Sequence, residues 1–195
     1  MSGNRLDKID LAALGPMTTA EAIAFLNGED IDVLRAQQQE RDEIAEEADR
    51  YKLVSPPEWP SLEFNWDLSA SAQRFALDGC KPESFATSFS NGLRLGWVSL
   101  KEFDAKLSRI NRRALVELWD VGDKEKLAMA IAYISRGKPI TPPLVHPIPA
   151  EKQVCFGGGN HRYTVAKFSG QIDLPIYADP GEAERIAAIV TVRWA

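Results

Sequence analysis

The chain has 195 residues, 45% hydrophobic and 26% charged, which are the proportions of a globular protein with a sizeable core and exclude wholesale disorder. Its net charge of -5 is uneven: residues 1–105 carry 10 basic and 19 acidic side chains, a balance of -9, and residues 106–195 carry 13 and 9, a balance of +4. An acidic chain without a long basic stripe excludes strong non-specific nucleic-acid binding, no apolar run approaches the roughly 20 residues of a membrane span, and Cys80 and Cys155 alone exclude a disulfide framework. The polar start "MSGNRLDKID" has no signal-peptide core, so a cytoplasmic location is expected.

Residues 18–53 are helical in composition. Thr18 or Thr19 followed by Glu21 makes a capping start, and Asn27-Gly28 divides the segment into two helices. From Ile31 onward the apolar positions thin to Ile31, Val33, Leu34, Ile44 and Leu53, which predicts a largely solvated helix. Its narrow stripe suits docking on a neighbouring segment, a second copy or a partner protein. Residues 54–66, "VSPPEWPSLEFNW", form a connector: Pro56, Pro57 and Pro60 forbid regular structure, and Trp59, Phe64 and Trp66 are costly to leave in water, so the connector is ordered. "ASAQRFALDG" and residues 81–113 read as short helices punctuated at Asp78-Gly79 and Asn91-Gly92, with a small hairpin over 86–98 as the alternative.

The last third changes character. "RALVELWDV", residues 113–121, reads as a strand; a helix follows, capped by Asp123 and stopped at Gly137, with Leu127, Ala130, Ile131 and Ile134 at helical spacing. "PITPPLVHPI" is extended, and its prolines assign it to a sheet edge or a loop. "KQVCF" is a strand running into "GGG", and a helix spans about Asn160 to Phe168 with Gly170 as its left-handed end. "DLPIYA" is a strand, "GEAERIAAI" a short helix or turn, and "VTVRW" a final strand. The fold class expected is α+β, with a helical region over residues 1–105 packed beside a small mixed-sheet domain over 106–195.

Three consecutive glycines cost backbone entropy, so they mark either a turn too sharp for a Cβ or the close approach of another molecule. A strand, glycines and the first turn of a helix offer unpaired N–H groups and a partial positive charge to an anion. His161 and Arg162 stand on that turn and add charged donors, so Gly157, Gly158, Gly159, Asn160, His161 and Arg162 are the candidate phosphate-binding residues. His161 is the foremost functional candidate, with a purely helix-capping role as its alternative.

The succession "GKPITPPLV", "VCFGGGNHRYTVAKFSG" and "DLPIYA" resembles the ParB/sulfiredoxin-like superfamily over roughly residues 109–195. The resemblance implies that ATP or CTP phosphates, with Mg2+, sit at the Asn160 helix start. It also implies an activity such as phosphoryl transfer or nucleoside-triphosphate hydrolysis, or else a DNA- or protein-binding regulatory module that keeps the fold. "FGGGNHRY" is close to the sulfiredoxin pattern "FGGCHRY", with Asn160 where the catalytic cysteine stands; an amide cannot replace a thiolate as nucleophile. The paired arginines of partition clamps are here His161-Arg162. Lys138 is similar to the position from which related proteins approach the nucleotide, or is a solvated helix-end lysine.

A phosphotransferase needs a carboxylate as base or magnesium ligand. Glu117 and Asp120 are the candidates, with exposed strand and turn positions as the alternative. The phosphate acceptor is left open among a small molecule, a protein and a nucleic acid. Two histidines and two distant cysteines make no zinc signature, so no structural metal is expected.

Overall fold

The computed structural model describes residues 16–77 and 80–195; the expected stop at Asp78-Gly79 lies outside them. The chain divides into two compact bodies, Met1–Glu43 and Ile44–Ala195. In the first, helix α1, Thr19–Leu26, opens with a capping box in which the Thr18 hydroxyl accepts the Glu21 amide and the Glu21 carboxylate accepts the Thr18 amide. The Arg35 guanidinium, 2.7 Å away, is the main reason that the Glu21 carboxyl is held down to about 2. Helix α2, Ile31–Asp49, begins after Asn27 and Gly28, as the sequence predicts.

The second body is an α+β unit. After α2 come helix α3 (Pro82–Ser88), strand β1 (Arg94–Ser99), helix α4 (Leu100–Lys106), helix α5 (Lys124–Ser135), strands β2 (Leu144–Ile148) and β3 (Gln153–Gly158), helix α6 (Asn160–Phe168), strand β4 (Asp173–Ala178), helix α7 (Ala183–Ala187) and strand β5 (Arg193–Trp194). The mixed sheet has the order β3-β2-β4-β1-β5. Among the described strand pairs of the sheet, β2–β4 is parallel and the others are antiparallel. β4 lies mid-sheet, and five of its six residues are buried, which is why "DLPIYA" is almost continuously apolar.

Residues 94–99, read from sequence as part of the amino-terminal region, supply β1, which pairs with β4 from Arg94↔Ala178 to Ser99↔Asp173. The hairpin over 86–98 does not form; α3 and β1 occupy that stretch. The strand expected at 113–121 is also absent. Leu115–Glu117 is a 3-10 turn in which the Glu117 carboxylate accepts the Ala114 amide and pairs with Arg109, while Leu115 and Val116 stay exposed. The apolar residues of this stretch imitate a strand, but only Leu118 among them is fully buried, with Trp119 packed half-buried against the same core. β2 is interior, not at an edge. Its prolines are tolerated because contact with β4 is confined to Leu144↔Tyr177, and the Pro143 carbonyl still accepts the Tyr177 amide at 2.8 Å.

One core layer lies between the sheet and the helices around it, joining Val98, Phe103, Val145, Val154, Tyr163, Leu174, Ile176 and Ile186. A second joins Leu127, Ile131 and Ile134 of α5 to Trp59, Leu118, Ile140 and Val165. The connector is ordered as its aromatic residues require: the Trp59 and Trp119 indoles both donate to the Val54 carbonyl, at 3.1 and 2.9 Å. Beneath α6, Asp104 accepts both the Tyr163 hydroxyl and the Lys167 ammonium. No helix among the described residues is long and apolar enough to cross a membrane.

Candidate functional site

β3 runs directly into the glycine turn, and α6 begins at Asn160. The protein's own atoms occupy the space that each glycine leaves. A Cβ on Gly157 would lie 2.5 Å from His146 Nε2, one on Gly158 only 2.1 Å from the Ala76 carbonyl oxygen, and one on Gly159 2.6 Å from Pro143. Gly159 also has φ +91, a left-handed conformation that disfavours a side chain. The sequence suggested a sharp turn or the approach of another molecule; at Gly157 and Gly158 the atoms that lie this close belong to the chain's own His146 and Ala76.

The first intrahelical bond of α6 runs from the Tyr163 amide to the Gly159 carbonyl at 3.0 Å, so the amides of Asn160, His161 and Arg162 precede the helix's own hydrogen-bond ladder. The Asn160 side-chain oxygen is buried and has no hydrogen-bond partner, while its carbonyl accepts the Thr164 hydroxyl at 2.8 Å. Beside this turn is a cavity of about 490 Å³ lined by Gly159, His161 and Arg162, by Lys126, Met129, Ala130 and Tyr133 of α5, and by Phe75. That volume falls in the range of small-molecule sites. A second cavity, of about 310 Å³, shares Phe75, Tyr133 and Arg162 with the first and adds Asp67, Pro139, Ile140 and Thr141.

Arg162 serves largely as a brace. Its guanidinium donates to the carbonyls of Thr141 (2.5 Å), Phe75 (3.3 Å) and Ala76 (3.4 Å), which fixes segment 70–77 over the turn. Those bonds use donors that a bidentate phosphate grip would need, though the positive charge still faces both cavities. His161 lines the first cavity, and its imidazole is near enough to Asp123 to contribute to the lowered pKa of that carboxyl. The chief cause of that lowering is the Lys126 amide, which Asp123 accepts as the N-cap of α5.

Glu117, Asp120 and Lys138 do not line this cavity. Glu117 is held ionised by the Ala114 amide first and then by Arg109, the signature of a turn clamp. Asp120 is exposed on the same turn, and Lys138 follows the C-terminal end of α5. Cys155 faces His146 across the β2–β3 ladder, but burial, with the Glu182 charge, pushes its thiol up and keeps it from thiolate chemistry. His146 itself holds Glu182 at 2.6 Å.

The residues that sequence reasoning passed over are Phe75, Lys126, Met129, Tyr133 and Asp67. A signal for three of them exists: 126, 129 and 133 recur at helical spacing on a face of α5 distinct from the buried stripe at Leu127, Ile131 and Ile134. Phe75 and Asp67 carry no such mark, because only the folding of the connector and of segment 70–77 brings them to the site. Comparison of the chain with protein-family models, curated proteins and solved structures finds no match.

Proposed function

We propose that the protein binds a nucleoside triphosphate, ATP or CTP, with its phosphates at the opening turn of α6. The observation that carries this reading is the chemistry of the larger cavity. Lys126, His161 and Arg162 converge there with a helix N-terminus, Phe75, Met129 and Tyr133 supply an apolar wall, and no carboxylate is among its described lining residues. A site with that charge and that wall suits a polyanion attached to a flat heterocycle. The order of motifs that resembles the ParB/sulfiredoxin-like superfamily supports the same assignment.

Mg2+ does not fit as a protein-held ion here, since the lining offers it no hard oxygen side chain. Binding without turnover, as in a regulatory module with a DNA or protein partner, is the reading this lining favours. Phosphoryl transfer or hydrolysis has one feature in its favour, the Asp123 carboxylate, whose lowered pKa owes a minor part to His161 after the Lys126 amide and other causes.

The test is thermal unfolding and phosphate release with ATP, CTP and GTP, with and without Mg2+. Ligand at about a hundred times Kd raises stability by about 2.7 kcal/mol. Lys126→Ala and His161→Ala are expected to remove most of that gain. If no nucleotide shifts the transition, the assignment fails; phosphate release lost in His161→Ala moves the protein from binding module to enzyme.

A further inference from the structure

The two cavities that meet at Phe75, Tyr133 and Arg162 differ in their charged groups: the larger presents Lys126, His161 and Arg162 with no carboxylate among its described lining residues, and the smaller sets the Asp67 carboxylate beside the shared Arg162. We infer that the smaller cavity receives the base of the nucleotide, and that Asp67 selects a base carrying an exocyclic amine, as in adenine and cytosine, over its keto counterpart. The inference rests on the nucleotide reading of the larger cavity and assigns the other end of the same ligand.

Asp67 is placed by the backbone. Its amide donates to the Ile140 carbonyl at 2.8 Å, and the Trp66↔Ile140 bridge ties the connector to the segment that leads into β2. The Ser69 amide donates to its carboxylate at 3.0 Å, and the Ser69 hydroxyl and amide together hold the carboxyl below its usual value. An ionised carboxylate only accepts hydrogen bonds and has about four lone-pair sites, so acceptor capacity is left after Ser69. An amine at the base edge meets that demand. A carbonyl oxygen in the same place meets a negative charge with no proton to share. Tyr133 and Phe75 stand between the two ends, where a heterocycle lies when its phosphates are at Lys126 and His161.

The test compares Kd values for pairs that differ only in amine against keto: CTP with UTP, and ATP with ITP, with inorganic triphosphate as the probe of the phosphate end. Hydrogen bonds to charged groups predict a preference of about tenfold or more for CTP over UTP and for ATP over ITP. Asp67→Asn, whose amide both donates and accepts, is expected to reduce each preference to within about threefold, with inorganic triphosphate binding unchanged. Equal Kd values within each pair for the wild-type protein overturn the inference without recourse to any variant. So does a preference that survives in Asp67→Asn, or a loss of affinity on 2′-deoxy substitution in place of amine removal, which would put the ribose at Asp67. If neither inorganic triphosphate nor any nucleotide binds, the nucleotide reading itself falls.

Discussion

Replacing Gly158 by alanine asks directly whether the glycine turn serves the chain or a ligand. The new Cβ would stand 2.1 Å from the Ala76 carbonyl oxygen and 3.2 Å from its carbon. A comfortable carbon–oxygen contact is about 3.3 Å or more, so segment 70–77 must retreat by more than about 1 Å. The obstacle is backbone, not the tip of a flexible side chain. Overpacking of this kind costs about 1–3 kcal/mol. The retreat also loosens the carbonyls of Phe75 and Ala76 from the Arg162 guanidinium, and a charged hydrogen bond contributes about 1.5–3 kcal/mol. A loss of about 3 kcal/mol or more follows, which lowers Tm by roughly 6–12 °C in a chain of this size. Gly170→Ala is the control: nothing lies within 4 Å of its Cβ, and only its φ of +80 costs, at about 1 kcal/mol. Thermal and urea unfolding of both variants supply the numbers. A Gly158→Ala protein that unfolds within about 2 °C of wild type refutes the packing argument, and lost nucleotide affinity in that stable variant would give the glycine to the ligand.

Leu127→Ala removes a fully buried side chain from the layer between α5 and the connector and is expected to cost about 2–5 kcal/mol, read as a lower urea midpoint. Glu47 is held below its ordinary value chiefly by Arg136 at 2.6 Å, helped by the hydroxyls of Tyr51 and Ser135. A depressed carboxyl stabilises the fold fully above its unfolded value of 4.5, and that contribution is lost as pH falls through the lower folded value. Glu47→Gln should therefore lie about 1 kcal/mol below wild type at pH 7 and converge with it in acid; a gap that is constant with pH contradicts the linkage.

How much of the fold was legible varies element by element, and the division has a physical basis. Caps and stops are local: Thr18 with Glu21, Asp123, Gly137 and Gly170 act through bonds or dihedrals within a few residues, and each stands where its sequence signal predicts. The 113–121 stretch shows the limit. Its apolar composition is strand-like, but a strand needs a partner ladder, and Glu117 closes a turn on Ala114 instead. β1 is the converse: its partners, Tyr177 and Ile176 among them, lie some eighty positions away, beyond the reach of any local pattern.

The same holds for the site. By itself the sequence determined that a glycine turn opens α6 and that His161 and Arg162 stand on its first turn, since strand, turn and helix are contiguous in the chain. Only the tertiary structure decided that Ala76 and His146 occupy the space those glycines leave, that Arg162 braces three carbonyls, and that Lys126, Tyr133 and Asp67 form the adjoining walls. Those neighbours come from separate segments, and which of them arrive is set by the burial of Trp59, Ile131 and Val165 in a common core, a property of the whole packed unit that no single stretch encodes.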